Sequence, residues 1–115
     1  MPIRSFTLVI RESDRDIFEA IKKGRKKMET RAATPKYREV EAGDELVFTC
    51  GGKKLSKCVL SARVFKTIGS LLKEYQVKDI NPAFKTEKEL KKMYQSFPGY
   101  AEKIKKYGLI ALELE

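Results

Sequence analysis

The chain has no histidine and only two cysteines among its 115 residues. Without imidazole, the side chain that ordinarily titrates near neutral pH is missing, and any proton transfer falls to groups such as Lys and Glu. Two thiols without histidine or a second cysteine pair fall short of a structural zinc site. A hairpin turning at Gly51-Gly52-Lys53-Lys54 would set Cys50 opposite Leu55 and leave Cys58 too far along the ladder for an easy disulfide, so both thiols read as small hydrophobes. No metal or cofactor is expected. No apolar run is long enough to span a bilayer, and Met1-Pro2-Ile3-Arg4-Ser5 lacks the apolar stretch of a secretory signal, so the expectation is a soluble cytoplasmic protein with no membrane partner. Low-complexity tracts, internal repeats and linkers are also missing, and 42% of the residues are hydrophobic. Residues 1–115 therefore read as one domain with a single core.

Charge is plentiful: 25 Lys and Arg face 16 Asp and Glu, a net +9. Such an excess creates a field that favours polyanions, nucleic acid first and an acidic protein second. The alternative is a solvated surface of mixed sign, as in proteins adapted to heat. Composition alone leaves both open, and it leaves the oligomeric state open as well.

Periodicity gives an outline of mixed elements. Phe6, Leu8 and Ile10 alternate with Ser5, Thr7 and Val9, which suits a strand with one buried face. Ser13 and Asp16 offer N-capping to a helix whose stripe is Ile17, Phe18 and Ile21, ending near Lys23 with Gly24 as its left-handed stop. Met28 to Ala32 is the second strand, and 33–41 a loop carrying Pro35 and Tyr37. Glu45 to Cys50 and Leu55 to Thr67 form a hairpin, with Leu46 and Phe48 on one arm and Leu60, Ala62 and Val64 on the other. A short helix over Ile68 to Tyr75 and a turn over Val77 to Ala83 follow. Thr86 and Glu89 make a capping box before Leu90, Met93, Tyr94 and Phe97 at helical spacing. Pro98 opens a last helix ending at Gly108, and a final strand sets Ile110, Leu112 and Leu114 on one side. The sum is an α+β chain in which the terminal strand returns to close a small mixed β-barrel with flanking helices.

The stretch from Gly24 to Arg31 carries most of the functional information. It holds a helix stop, a strand entry and opposite charges, and on a strand Lys27, Glu29 and Arg31 would share one face. Lys26 and Arg31 offer donors to phosphate or base acceptors, Arg31 best of all because its planar fork fits an oxyanion. Glu29 can accept from a base edge or simply pair with Arg31. Lys22, Lys23, Arg25, Lys26 and Lys27 form a basic run, part of which answers the negative end of the helix dipole. Lys53, Lys54, Lys57, Lys103, Lys105 and Lys106 would extend it only if the fold brought them together. Tyr37 and Tyr100 lie beside loop signals, where either could stack on an exposed base. Phe6, Phe18, Phe48 and Phe65 read as core.

Gly24, Lys26, Glu29, Arg31, Tyr37, Gly43 and Asp44 together resemble the signature of the ASCH domain, a small relative of the PUA domain. The resemblance continues through Phe97-Pro98-Gly99-Tyr100 and Lys106 to Leu112, and so spans nearly the whole chain. It implies a PUA-like barrel whose cleft binds RNA or a modified nucleotide, with Lys26, Glu29, Arg31, Tyr37, Arg25 and Lys27 as the nucleic-acid-binding set. Some small ASCH proteins resemble amidohydrolases that remove the acetyl group of N4-acetylcytidine with a Lys, a Thr and a more distant Glu. Lys26 matches the Lys, but Glu29 stands at the Thr position, and Thr30 is one residue on, expected to face the other side of the strand. Glu74 and Asp79 lie in the region of the third residue. Were the protein an enzyme, Lys26 and Glu29 would be its catalytic pair, Glu29 activating a water and Lys26 holding the oxyanion, or both sharing proton transfer in a ribonuclease.

Overall fold

A computed structural model describes residues 3–115. Strand β1, Ser5–Val9, buries Leu8 and leaves Val9 73% exposed, with Ile10 buried just beyond the strand. A 3-10 turn at Glu12–Asp14 leads into helix α1, Arg15–Lys22. Its stripe is Ile17, Phe18 and Ile21, as the spacing predicts, but neither Ser13 nor Asp16 caps it: Asp14 holds the N-cap position without a side-chain bond, because the preceding turn runs straight into the helix. Gly24 follows at φ +79°, where a Cβ would strain the backbone, and this ends the helix and aims the chain into β2, Met28–Ala32.

The loop after β2 contains helix α2, Pro35–Arg38, a single turn with Pro at its start. Strands β3, Glu45–Cys50, and β4, Lys53–Phe65, form the hairpin. The connection is the two-residue Gly51-Gly52, so Cys50 pairs with Lys53 and Leu55 with Phe48, not with Cys50. Gly51 at φ +60° allows the ladder to close that tightly. Cys58 sits opposite Glu45, far down the ladder from Cys50, and both thiols are free. A register shift between Val59 and Ser61 extrudes Leu60, which is 53% exposed, and Val64 is exposed as well, so the expected apolar face of this arm is realised only at Ala62.

Helices α3, Ile68–Leu72, and α4, Val77–Ile80, come next, the latter where periodicity predicts only a turn, since four residues are too few to display a helical stripe. Helix α5, Glu87–Ser96, opens with the expected capping box: Glu89 N–H donates to Thr86 Oγ1 and Thr86 N–H to Glu89 Oε1, each at 3.2 Å. Helix α6, Tyr100–Tyr107, begins after Gly99 rather than at Pro98. Gly108 then turns the chain into β5, Leu109–Leu114.

The five strands form one sheet in the order β1-β3-β4-β5-β2, with β1 parallel to β3 and the other pairs antiparallel. The terminal strand returns to the middle of the sheet, as expected, yet β1 and β2 remain unpaired edges among the described residues, so the sheet is a half-barrel. Its concave side holds one core, built from Leu8, Phe18, Ile21, Leu46, Phe48, Ile110 and Leu112. The other side holds a second core, where Met28, Phe65, Leu109 and Ala111 meet Leu71, Ile80, Leu90 and Tyr94 of the helices. Strand β2 thus lies between two cores, and its alternating side chains divide between them.

Asp44, a motif position, is structural. It accepts from Arg4 Nε and Nη2 at 3.3 and 2.9 Å and from the Glu41 N–H at 2.8 Å, tying the entry of β3 to the start of β1. Burial works against its charge, but these donors outweigh it and hold the carboxyl below the usual range.

Candidate functional site

The gap between the two sheet edges is a concavity that gathers charges of both signs on its wall, a cavity of about 350 Å³. Val9 and Ile10 of the β1 edge face Glu29, Thr30 and Arg31 of the β2 edge across it. Ile80, Tyr94 and Tyr100 bring in the helical layer, and Lys26 closes one corner. The volume falls within the range of small-ligand sites.

Glu29 and Arg31 stand on one face of β2 because residues two apart do so. Opposite them on β5 are Leu112 and Ile110, so the two charges project over the concave core. Arg31 Nε lies 3.4 Å from Glu29 Oε1, a loose pair that leaves acceptor and donor capacity on both. Burial opposes the Arg31 charge, and Glu29, with Tyr37 and Tyr100, outweighs it, placing the guanidinium above the ordinary arginine value.

Lys26 is 7% exposed. Its ammonium donates to the Met28 carbonyl at 2.6 Å and to the Ile80 carbonyl, fastening α4 to the start of β2. The Lys27 N–H adds a backbone bond to the Asp79 carbonyl at 3.1 Å. Burial pushes the Lys26 pKa down, with Glu29 opposing and Arg31 reinforcing the shift.

Thr30 faces the second core, and its hydroxyl bonds the Tyr94 phenol. The sequence argument that it turns away from Glu29 describes its side chain correctly, yet the residue still lines the cavity, because β2 is an edge whose backbone is open on that side. Tyr94 and Tyr100 stack at 6.1 Å with planes 6° apart, and Phe97 meets Tyr100 edge-on at 5.4 Å. The Tyr100 hydroxyl accepts from the Ala32 N–H at 2.8 Å, which fixes the ring beside the strand edge. Burial raises both phenol pKa values, so both remain neutral at physiological pH.

Of the six residues singled out in sequence, Lys26, Glu29 and Arg31 line the cavity together. Tyr37 lies outside its wall: Arg31 sits 5.7 Å and Lys36 5.3 Å from its ring centre. Arg25 and Lys27 are exposed, and Lys27, though of the same parity as Glu29, precedes the strand by one residue. Glu74 is exposed and pairs with Arg63, and Asp79 meets β2 through its carbonyl; neither lines the cavity. None of the hairpin or α6 lysines lines it either. Sequence reasoning passed over Arg11 and Asp14, which are paired at 3.0 Å on the rim, and Asn81. The Asn81-Pro82 turn signal marks the last of these, but nothing local marks the first two.

Among the described residues no group of three or more His, Cys, Asp or Glu is placed to hold a metal ion, and no helix is long and apolar enough to cross a membrane.

Residues 14–115 match the ASCH domain. The chain is also similar to two solved structures. One is the crystal structure of a hypothetical protein, PH0355, with a TM-score of 0.81 and 32% identity over 96% of this chain and 97% of that one. The other is the solution structure of protein PF0455 from Pyrococcus furiosus, with a TM-score of 0.76 and 32% identity over 96% of each chain. No curated protein matches it. The half-barrel with flanking helices is accordingly a PUA-like fold.

Proposed function

Since this chain belongs to the ASCH domain family, whose PUA-like fold is of the RNA-binding type, we propose that it binds RNA or a modified nucleotide in the cavity between β1 and β2. One observation carries the reading: Glu29 and Arg31 project side by side into a cavity with an aromatic wall, and their mutual bond, at 3.4 Å, is too loose to consume them. A core would have little use for a charged pair held this way. Arg31 is the phosphate or base-acceptor donor, Glu29 the acceptor for an exocyclic amino group, and the exposed Arg11 on the cavity wall holds the backbone.

The test is Arg31→Ala. The pair is loose and borders the cavity, so the variant is expected to fold, at a cost of about 1–3 kcal/mol for leaving the 8% exposed Glu29 carboxylate without its cation, which thermal unfolding checks. Losing a charged hydrogen bond to the ligand lowers affinity about tenfold or more for a panel of short RNAs and modified nucleosides. A folded Arg31→Ala protein that binds the panel as well as the parent refutes the assignment.

A second reading, a hydrolase acting on nucleosides, draws on Lys26. A neutral Lys26 amine retains two N–H donors for the Met28 and Ile80 carbonyls and one free lone pair, and burial favours that neutral form. Conversion of N4-acetylcytidine that disappears in Lys26→Ala, or ribonuclease turnover lost in Glu29→Ala, would put this reading first.

A further inference from the structure

Among the described residues, strand β2 pairs with β5 on one side only. Its ladder bonds fall on alternate residues: Leu114 N–H reaches the Lys27 carbonyl and Ala33 N–H the Gly108 carbonyl, in the same register that sets Glu29 opposite Leu112 and Arg31 opposite Ile110. By the alternation of an antiparallel ladder, the N–H and C=O groups of Met28, Thr30 and Ala32 point away from β5, toward the cavity. The protein fills the positions on either side of Thr30. Lys26 takes the Met28 carbonyl, Tyr100 takes the Ala32 N–H, and Thr34 N–H takes the Ala32 carbonyl. The Thr30 hydroxyl is turned to Tyr94. Besides the Met28 N–H, whose residue does not line the cavity, what remains is the Thr30 N–H beside the Thr30 C=O, facing a cavity of about 350 Å³ that Thr30 itself lines.

We propose that this single backbone donor–acceptor pair at Thr30 reads the Watson–Crick edge of one nucleobase, free in a nucleoside or unstacked from an RNA strand. The inference rests on the nucleotide-binding reading and deepens it. Every nucleobase carries an acceptor and a donor on adjacent atoms of that edge, the complement of one residue's N–H and C=O. An extended peptide adding to the sheet would need a run of alternate open residues. Here only one residue has both groups open, because Lys26 takes the Met28 carbonyl and Tyr100 the Ala32 N–H. A flat ring fits a one-residue opening and a strand does not. The wall supports the same occupant, with the Tyr100 and Phe97 rings alongside. Selection at this point is insensitive to the identity of the Thr30 side chain, since the backbone performs it.

The test uses the full chain, the four ribonucleosides, a short single-stranded RNA and a short extended peptide, read by calorimetry and by backbone amide NMR. Binding of a nucleoside or of the RNA is expected to shift the Thr30 amide and slow its hydrogen exchange about tenfold. Methylation of the bound base at its edge ring nitrogen, N3 of a pyrimidine or N1 of a purine, is expected to weaken binding about tenfold or more, the loss of a two-bond contact. In N3-methyluridine and N1-methylguanosine that loss occurs without a change of charge. Thr30→Pro removes the N–H at an edge position that does not serve the ladder and should lose binding to the same degree; if it fails to fold, the methylated bases and the Thr30 amide decide. RNA or nucleosides that bind equally well with the edge methylated and leave the Thr30 amide unmoved overturn the inference while sparing the binding reading. Protection of Thr30 by the peptide alone also overturns it. No binding of any nucleoside or RNA overturns both.

Discussion

Replacing Lys26 by Met tests how the buried ammonium contributes to the fold. Met keeps nearly the same volume, so no large cavity opens and the change is confined to two lost hydrogen bonds and one lost charge. Two carbonyls, of Met28 and Ile80, lose their donor. An unsatisfied buried acceptor costs about 1–3 kcal/mol, which sets a ceiling of about 6 kcal/mol for the two. Two effects lower it. The variant no longer desolvates a charge, the effect that depresses the Lys26 pKa. Ile80 also borders the cavity, from which water can reach its carbonyl. We expect a net loss of about 2–4 kcal/mol. For a chain this size that lowers Tm by roughly 8–16 °C. Urea unfolding should show the midpoint fall with little change in m-value, and hydrogen exchange should quicken first at Lys27 and Asn81, whose amides hold the segment around α4. A Lys26→Met protein as stable as the parent, or more so, would refute the reasoning: it would mean that burying the charge costs as much as its two bonds contribute.

The same residue gives stability a pH signature. Because the folded pKa of Lys26 lies below 10.5 and the unfolded chain binds the proton more readily, stability rises with pH between those two values, and Lys26→Met abolishes the rise. Tyr94 acts in the opposite direction: its folded pKa lies above 10.0, so stability held below that value is lost as pH climbs past it, and Tyr94→Phe flattens the fall. Asp44→Asn should remove the charge-assisted link to Arg4 and cost about 1–2 kcal/mol at pH 7, with the difference from the parent vanishing as pH falls below the ordinary Asp value of 3.8 toward the lower folded one. Gly108→Ala should be the most damaging small change, at about 3 kcal/mol or more: φ is +80° and ψ −169°, and an added Cβ would stand 2.5 Å from the Phe65 carbonyl oxygen, a backbone atom that cannot swing aside. Thermal unfolding of each variant checks these values, and a Gly108→Ala protein within 1 kcal/mol of the parent would contradict the last.

What the sequence determined by itself was local. The Thr86 and Glu89 capping box, the stop at Gly24 and the strand Met28–Ala32 all depend on residues within a few positions of one another, so spacing was sufficient to read them, whereas the hairpin is legible at its glycines but with a four-residue turn and the wrong register. Parity set Glu29 and Arg31 on one face for the same reason. The family signature marked Lys26, Glu29 and Arg31, and those three share a cavity wall. Tertiary structure decided the rest, because each remaining feature joins segments far apart in the chain. Lys26 lies in a basic run whose other cations are exposed, yet it is buried, since the Ile80 carbonyl arrives from 54 residues away. Tyr100 closes the β2 edge across 68 residues, and Asp14 and Asn81 reach the same cavity from distant parts of the chain. The extrusion of Leu60 follows from a register shift against β5, which no pattern within β4 records. That β1 and β2 stay apart, leaving the half-barrel open where the charges gather, is a property of the whole sheet's strand order. Alternation assigns a side chain to a face, but only the pairing of strands decides which faces and which edges are left for a ligand.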